Sequence, residues 1–407
     1  MGWGTLTGNQ RVSSGPKLVR WFVVAGAAVA IIFFGNEAYL KYVGSHGRVV
    51  ATDYAIYRFA SLLLWQGDFA TLFDPGKFFP AHDAFAQTQV GFSPFPYPPS
   101  ALWVIAPLDL LPDFLRPILW LGLPFAAFAW LVCHNLSRPW PATAALLLAP
   151  ASIFNIAQGQ NGFLSGALLC GGLLSLQARP VLAGCLFGLL TFKPQLGLLL
   201  PFVLLAGGHY RTFVAAAVVA LALGLGSVAL FGAEAWRIYF TAALPTQRAF
   251  LETGSGFALL TTPSFFVAGR MLGLPLPFAY ALQALATAGV IIACVWAFSR
   301  RSVGPGYKAP LLMVGVFLAT PYCSGYDLCI VAAAQILIWA QGGQRSPGQI
   351  RLHAAVWVLP LLMIPLSIIH VPIAPVVLSL LFYVLLQDVR AQQNQGPASM
   401  AMSEAAR

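Results

Sequence analysis

The sequence predicts an all-α polytopic membrane protein with about 12 transmembrane helices and a helical first outer loop. Three observations carry this. Of the 407 residues, 59% are hydrophobic and 8% are charged, whereas a soluble domain carries about 25% charged side chains. Mean hydropathy is +0.78. The apolar runs are continuous and rich in leucine and alanine, where the strands of a barrel would alternate. A soluble enzyme and a β-barrel are both excluded.

The elements follow in order. The N-terminus is polar to Gly15, and the apolar run after it is long and lacks a clear A-x-A cleavage site, so it is expected to stay as a first helix. Apolar runs then place crossings at 21–40, 114–133, 141–157, 163–176, 181–192, 196–206, 213–231, 278–298, 309–320, 328–339, 354–369 and 373–386. The pieces 100–111 and 256–274 are short or interrupted and are expected on the membrane or partly in it. The chain divides into a cytoplasmic tail (1–20), a transmembrane catalytic region (21–340, with the outer loop 41–99), C-terminal transmembrane helices (341–390) and a disordered cytoplasmic tail (391–407).

Charge tests the orientation. The net charge is +10, from 22 Lys and Arg against 12 Asp and Glu. The bases are scattered singly between apolar runs, unlike a nucleic-acid patch. With the N-terminus inside, every cytoplasmic connection holds a base, among them Arg138, Arg179, Arg211, Arg300, Arg301, Lys308, Arg345, Arg351 and Arg390, as the positive-inside rule requires. All acids but Asp388 and Glu404 fall outside, with the long loop and most polar motifs. The cysteines (Cys133, Cys170, Cys185, Cys294, Cys323, Cys329) lie in or beside apolar segments without metal-site spacing and read as small apolar residues.

Four outer-side motifs bear chemistry. In the first, Asp53 opens an amphipathic interfacial stretch with Tyr54 and Tyr57. It is either a helix N-cap or a general base. In the second, Pro94, Pro96, Pro98 and Pro99 forbid regular helix around Tyr97, which makes either a rigid re-entry into the membrane or a wall beside a bound headgroup. In the third, Gln160 and Asn161 between apolar helices are costly unless paired or wet, and Lys193-Pro194-Gln195 breaks a hairpin. Lys193 either snorkels to the interface or binds an anion such as phosphate. In the fourth, Tyr326 and Asp327 follow Gly325 between two spans; Asp327 either caps the next helix or binds a sugar hydroxyl. Arg237, Arg248 and Arg270 flank the other large outer loop as interface anchors or anion contacts. His46, His82 and His370 form no metal spacing, and HExxH, P-loop and GxSxG elements are lacking.

The set resembles the polyprenyl-phosphate-sugar-dependent C-type (GT-C) glycosyltransferases, in particular glycosyltransferase family 87, which includes mycobacterial mannosyltransferases that build phosphatidylinositol mannosides. The resemblance rests on Thr52-Asp53-Tyr54 with Tyr57, Phe95-Pro96-Tyr97-Pro98-Pro99 with Pro107-Leu108 and Leu111-Pro112, Gly159-Gln160-Asn161, Leu190 to Gln195, and Pro321 with Tyr326-Asp327, in the family's order. It implies a GT-C fold and an inverting hexosyltransferase of a bacterial inner membrane, working on the outer side. The sugar, with mannose favoured, would pass from a polyprenyl-phosphate donor to a lipid or glycan acceptor. The resemblance makes Asp53 the catalytic base, with Asp74 and Asp83 as rivals. It places Lys193, with Arg237 and Arg248, on the donor phosphate. It puts Tyr54, Tyr57, Tyr97, Gln160, Asn161, Gln195, Tyr326 and Asp327 at the sugar or headgroup. No cofactor is expected, a divalent metal being the alternative. The Gly254-Ser255-Gly256 stretch is less polar than an acceptor-contacting loop of this kind.

Three other classes compete. A non-catalytic scaffold of envelope assembly leaves Lys193 and the Tyr97-Pro98-Pro99 wall unexplained. A transporter or flippase predicts polar groups along the spans and loops of equal weight on both faces, and neither pattern is present. An O-antigen ligase or polymerase is usually marked by functional Arg and His in one large periplasmic loop; 232–256 has Arg237 and Arg248 but no His.

Overall fold

The computed structural model describes residues 24–32, 35, 52–86 and 95–405. The tail 1–20, most of the first expected span, His46, and Pro94 of the proline stretch lie outside the described residues.

Every described element is helical. Prolines set many of the starts: Pro139, Pro150, Pro180, Pro305 and Pro347 each stand at the first turn of a helix, where the missing N–H has no intrahelical partner to lose and φ is already preset. The outer loop folds into three helices, Thr52–Gln66, Phe69–Phe73 and Pro75–Ala86. Asp68 caps the second by accepting from the Thr71 N–H at 2.9 Å.

Among the described residues, three helices are long and apolar enough to cross a membrane alone: Tyr210–Phe231, Leu276–Ser299 and the Ile373–Asn394 part of the last helix. Two bent pairs raise this to five, Pro139–Leu147 with Pro150–Gln158 at 54° and Pro347–Trp357 with Leu359–Ile368 at 73°. The remaining expected crossings are shorter apolar helices, among them Gly162–Ser175, Pro180–Phe192 and Pro305–Ala319. Proline explains the bends. It cannot donate to the turn before it, so Pro150 and Pro360 each interrupt what hydropathy alone reads as one run. The expected span 114–133 likewise opens with a wide turn, Ile118–Gly122, after Pro117. The last helix, Ile373–Ala405, continues through the stretch expected as a disordered tail, whose Ala, Gln and Met favour helix.

The centre of the bundle is Pro305–Ala319, buried from Lys308 to Ala319. It packs on Gly162–Ser175, Leu276–Ser299, Cys329–Ala340 and the last helix. At the rim, Tyr210–Phe231 is almost wholly unburied and turns Val214, Val218, Leu221 and Leu225 outward, as a lipid-facing helix does. Its inner side lies close on Pro180–Leu189. A Cβ on Gly188 would stand 2.5 Å from Val219 Cβ, so the small residue sets that approach.

Candidate active site

Asp53 stands in the first turn of Thr52–Gln66, inside the helix. Its charge still lies near the positive end of the helix dipole. One turn on, Tyr57 points inward, packed on Trp120 with ring centroids 4.6 Å apart.

Opposite this helix, Pro150–Gln158 ends at Gly159 in the left-handed conformation (φ 66°), the usual way for a glycine to close a helix. Trp120 Nε1 donates to the Gly159 carbonyl at 2.8 Å. The chain reverses there and delivers Gln160 and Asn161 inward before Gly162 starts the next helix. Gly162 is required by space: its N–H donates to Asn155 Oδ1 at 2.8 Å, and a Cβ would lie 2.6 Å from that oxygen and 3.1 Å from the Tyr326 carbonyl.

These turns build one continuous network. Gln160 Nε2 donates to Asp53 Oδ2 at 2.7 Å. Gln160 Oε1 accepts from the Tyr57 hydroxyl at 2.5 Å. The Tyr57 and Tyr97 hydroxyls share a bond of 2.8 Å. Asn161 Nδ2 donates to Tyr97 at 2.9 Å and to Tyr57 at 3.3 Å. Lys193 Nζ donates to Asn161 Oδ1 at 2.9 Å and to Asp327 Oδ1 at 2.6 Å. The Tyr326 ring lies 5.1 Å from the ammonium.

The network has an open end and a closed end. Asp53 is half-buried and reachable. Lys193 and Asp327 are 2% and 1% exposed, an ion pair withdrawn from water. Burial pushes the Tyr57 phenol well above its ordinary value, and burial likewise raises that of Tyr97. Both hydroxyls therefore stay protonated and serve as donors. The proline stretch ends in Pro98 and Pro99, which start the turn Pro99–Ala101. It presents Tyr97 between Phe95 at 5.5 Å and Phe192 at 6.3 Å. Gln247 ties the helix Leu244–Thr253 to this wall by donating to the Pro96 carbonyl at 2.7 Å.

Of the residues singled out in the sequence, Asp53, Tyr57, Tyr97, Gln160, Asn161, Lys193, Tyr326 and Asp327 come together. The others do not join. Gln195 is half-buried on the turn after Lys193. Arg237 binds Glu234, both exposed, and the exposed Arg248 binds the half-buried Glu252 at 2.8 Å. Arg270 clamps its own loop by donating to the Leu251 and Gly254 carbonyls at 2.7 and 3.1 Å. Asp74 accepts from the Gly76 N–H at 3.0 Å and belongs to a turn. Tyr54 points away from the network, towards a cluster that sequence reasoning missed. There Arg116 binds Asp113 and lies 3.9 Å from Asp109, and Arg58 lies 3.8 Å from Asp113. The sequence signals were the spacing of three between Asp113 and Arg116, and Arg58 five positions past Asp53 on the same helix. Among the described residues no three His, Cys, Asp or Glu side chains gather as a metal site.

Comparison with protein families matches residues 95–321, more than half of the 407-residue chain, to glycosyltransferase family 87. The match includes Tyr97, Gln160, Asn161 and Lys193; Asp53 and Tyr57 precede it, and Asp327 follows it. No curated protein matches, and no solved structure matches.

Proposed function

Because this chain belongs to glycosyltransferase family 87, we propose that it is an inverting, membrane-embedded hexosyltransferase with Asp53 as its general base. The donor is a polyprenyl-phosphate sugar, with mannose favoured. The acceptor is a hydroxyl of a lipid or glycan. The membrane is a bacterial inner membrane, with the network on its outer side, and the architecture is of the GT-C type.

One observation supports this above the others. A half-buried carboxylate, Asp53, is held at 2.7 Å by Gln160 at the open end of a network whose other members are buried. A base needs a defined position and access to substrate, and this one has both.

The acceptor oxygen attacks the anomeric carbon as Asp53 takes its proton. The bond from that carbon to the phosphate oxygen breaks, and its electron pair leaves with the polyprenyl phosphate. A single displacement inverts the anomeric centre. General-base assistance of this kind contributes about 10²–10⁴-fold. Tyr57, Tyr97, Gln160 and Asn161 position Asp53 and line the sugar's place. Lys193 supports them from behind, its charge already opposed by Asp327. Arg237 is held by an exposed pair, which contributes little, and the Arg248 guanidinium is itself exposed, so each can exchange its carboxylate for the donor phosphate, a stronger bidentate partner.

The experiment is transfer of radiolabel from polyprenyl-phosphate mannose to lipid extract, by wild type and Asp53→Asn. Asn keeps the shape and loses the base. The expected result is a labelled glycolipid from wild type and none from the variant, with donor binding intact. Equal transfer by both removes Asp53 from the chemistry.

A further inference from the structure

We infer that the end of the bundle remote from Asp53 carries an anion site, built around Lys308, that accepts a phosphate group. The distance between the two ends follows from the helices. Gly162–Ser175 begins next to Asn161 and spans 14 residues, about 20 Å at 1.5 Å per residue. Pro305–Ala319 runs the other way, from Lys308 back towards the turn that holds Asp327.

Lys308 is an anomaly in this protein. It is 7% exposed, yet among the described residues no carboxylate pairs with it; its ammonium lies only over the Phe298 ring, 5.9 Å from the centroid. A buried ammonium without a counter-charge is strongly unfavourable. Lys193, the other deeply buried lysine, shows the contrast, since Asp327 neutralises it at 2.6 Å.

The side chain of Lys308 lines a chamber. It has a volume of about 20 Å³, between Gln177, His209, Phe298 and Lys308. About 10–15 Å³ suffices for one water, so the chamber fits one water-sized group, such as a single phosphate oxygen. An open groove of about 560 Å³ shares Leu176, Gln177 and His209 with it and is edged by Arg211, which leaves room for the rest of a headgroup.

The surroundings are cationic. Burial lowers the His209 pKa, and the charges of Lys308 and Arg301 act in the same direction, so both cations face this imidazole, which stays neutral. Among the described residues, no Asp or Glu pairs with Lys308, Arg301 or Arg211. The carboxylate of Asp388 is taken by Arg345 at 2.7 Å. Basic pockets between membrane helices on the cytoplasmic side are suited to anionic headgroups. The shared chemistry is a phosphate, either the phosphodiester of an anionic lipid or the free ion. Nothing in this inference depends on the transferase reading.

The test uses the purified full-length chain. One arm measures phosphatidylglycerol retained by native mass spectrometry, with phosphatidylcholine as control. The other titrates inorganic phosphate against thermal unfolding at constant ionic strength. Preferential binding of either probe is expected, weakened about tenfold or more in Lys308→Met and kept in Lys308→Arg. Response to the lipid alone identifies a headgroup site, and response to inorganic phosphate identifies a site for the free ion. Should Lys308→Met fail to fold, the exposed variants Arg211→Gln and Arg301→Gln carry the test, each with weakened binding. Wild type that prefers neither probe, or variants that bind as wild type does, overturns the inference.

Discussion

Lys193 and Asp327 lie 134 positions apart in the chain and meet at 2.6 Å with both side chains buried. Their ion pair joins the break after Pro180–Leu189 to the turn before Cys329–Ala340. It thereby fixes Asn161 and, through the two tyrosines, the position of Asp53.

Removing one partner leaves the other charge buried and alone, at a cost of about 3–5 kcal/mol. Lys193→Met is therefore expected to lower the unfolding midpoint and abolish transfer. The double variant Lys193→Met/Asp327→Leu should recover most of the stability and little of the activity. Thermal unfolding beside radiolabel transfer separates the two.

Gln160 links Asp53 to the buried Tyr57 hydroxyl. Gln160→Leu removes that link while filling its volume. The expected effect is a fall in kcat of about 10–100-fold from a misplaced base, with donor KM nearly unchanged. Steady-state kinetics checks it; an equal rise in KM would instead make Gln160 a binding residue.

Gly162 and Gly224 should respond oppositely to alanine. A Cβ at Gly162 meets Asn155 Oδ1 at 2.6 Å, whereas at Gly224 nothing lies within 4 Å. Gly162→Ala is expected to open the Asn155 contact and lose about 1–3 kcal/mol along with activity. Gly224→Ala is expected to be neutral or to gain up to about 1 kcal/mol of helix preference. Unfolding midpoints of both variants decide the point.

The Tyr57 phenol sits well above its ordinary value of 10.0 because it is buried. In the unfolded chain it ionises near that value, while the folded chain keeps its proton. Stability is therefore full below about pH 10 and falls above it, the unfolded state then binding fewer protons. Tyr57→Phe should lower stability at neutral pH, since Gln160 and Asn161 lose a partner, and should flatten the loss above about pH 10. Unfolding midpoints across this range for both proteins test the sign.

Much of the site was legible in residue type. Gln160, Asn161 and Lys193 stand where apolar runs break, and polar groups in such places need partners. The proline stretch announced a rigid wall for Tyr97. Arg237 and Arg248 show the limit: an exposed arginine in an outer loop looks the same in sequence whether it faces a ligand or a glutamate four residues away. The Arg58–Arg116 cluster was missed because Arg58 joins Asp109, Asp113 and Arg116 only after the chain folds back. The bends were equally illegible, since hydropathy averages across Pro150 and Pro360 and does not register an angle of 54° or 73°.

Composition by itself determined that the chain is a helical membrane protein, because apolar surface on this scale has no other stable solvent. Local sequence determined where helices start and break, because proline and glycine act on the backbone within a turn. Only the tertiary structure decided which polar side chains pair. A hydrogen bond depends on positions within a few tenths of an ångström, and residues as far apart as Asp53, Gln160, Lys193 and Asp327 reach those positions only when the whole bundle has packed.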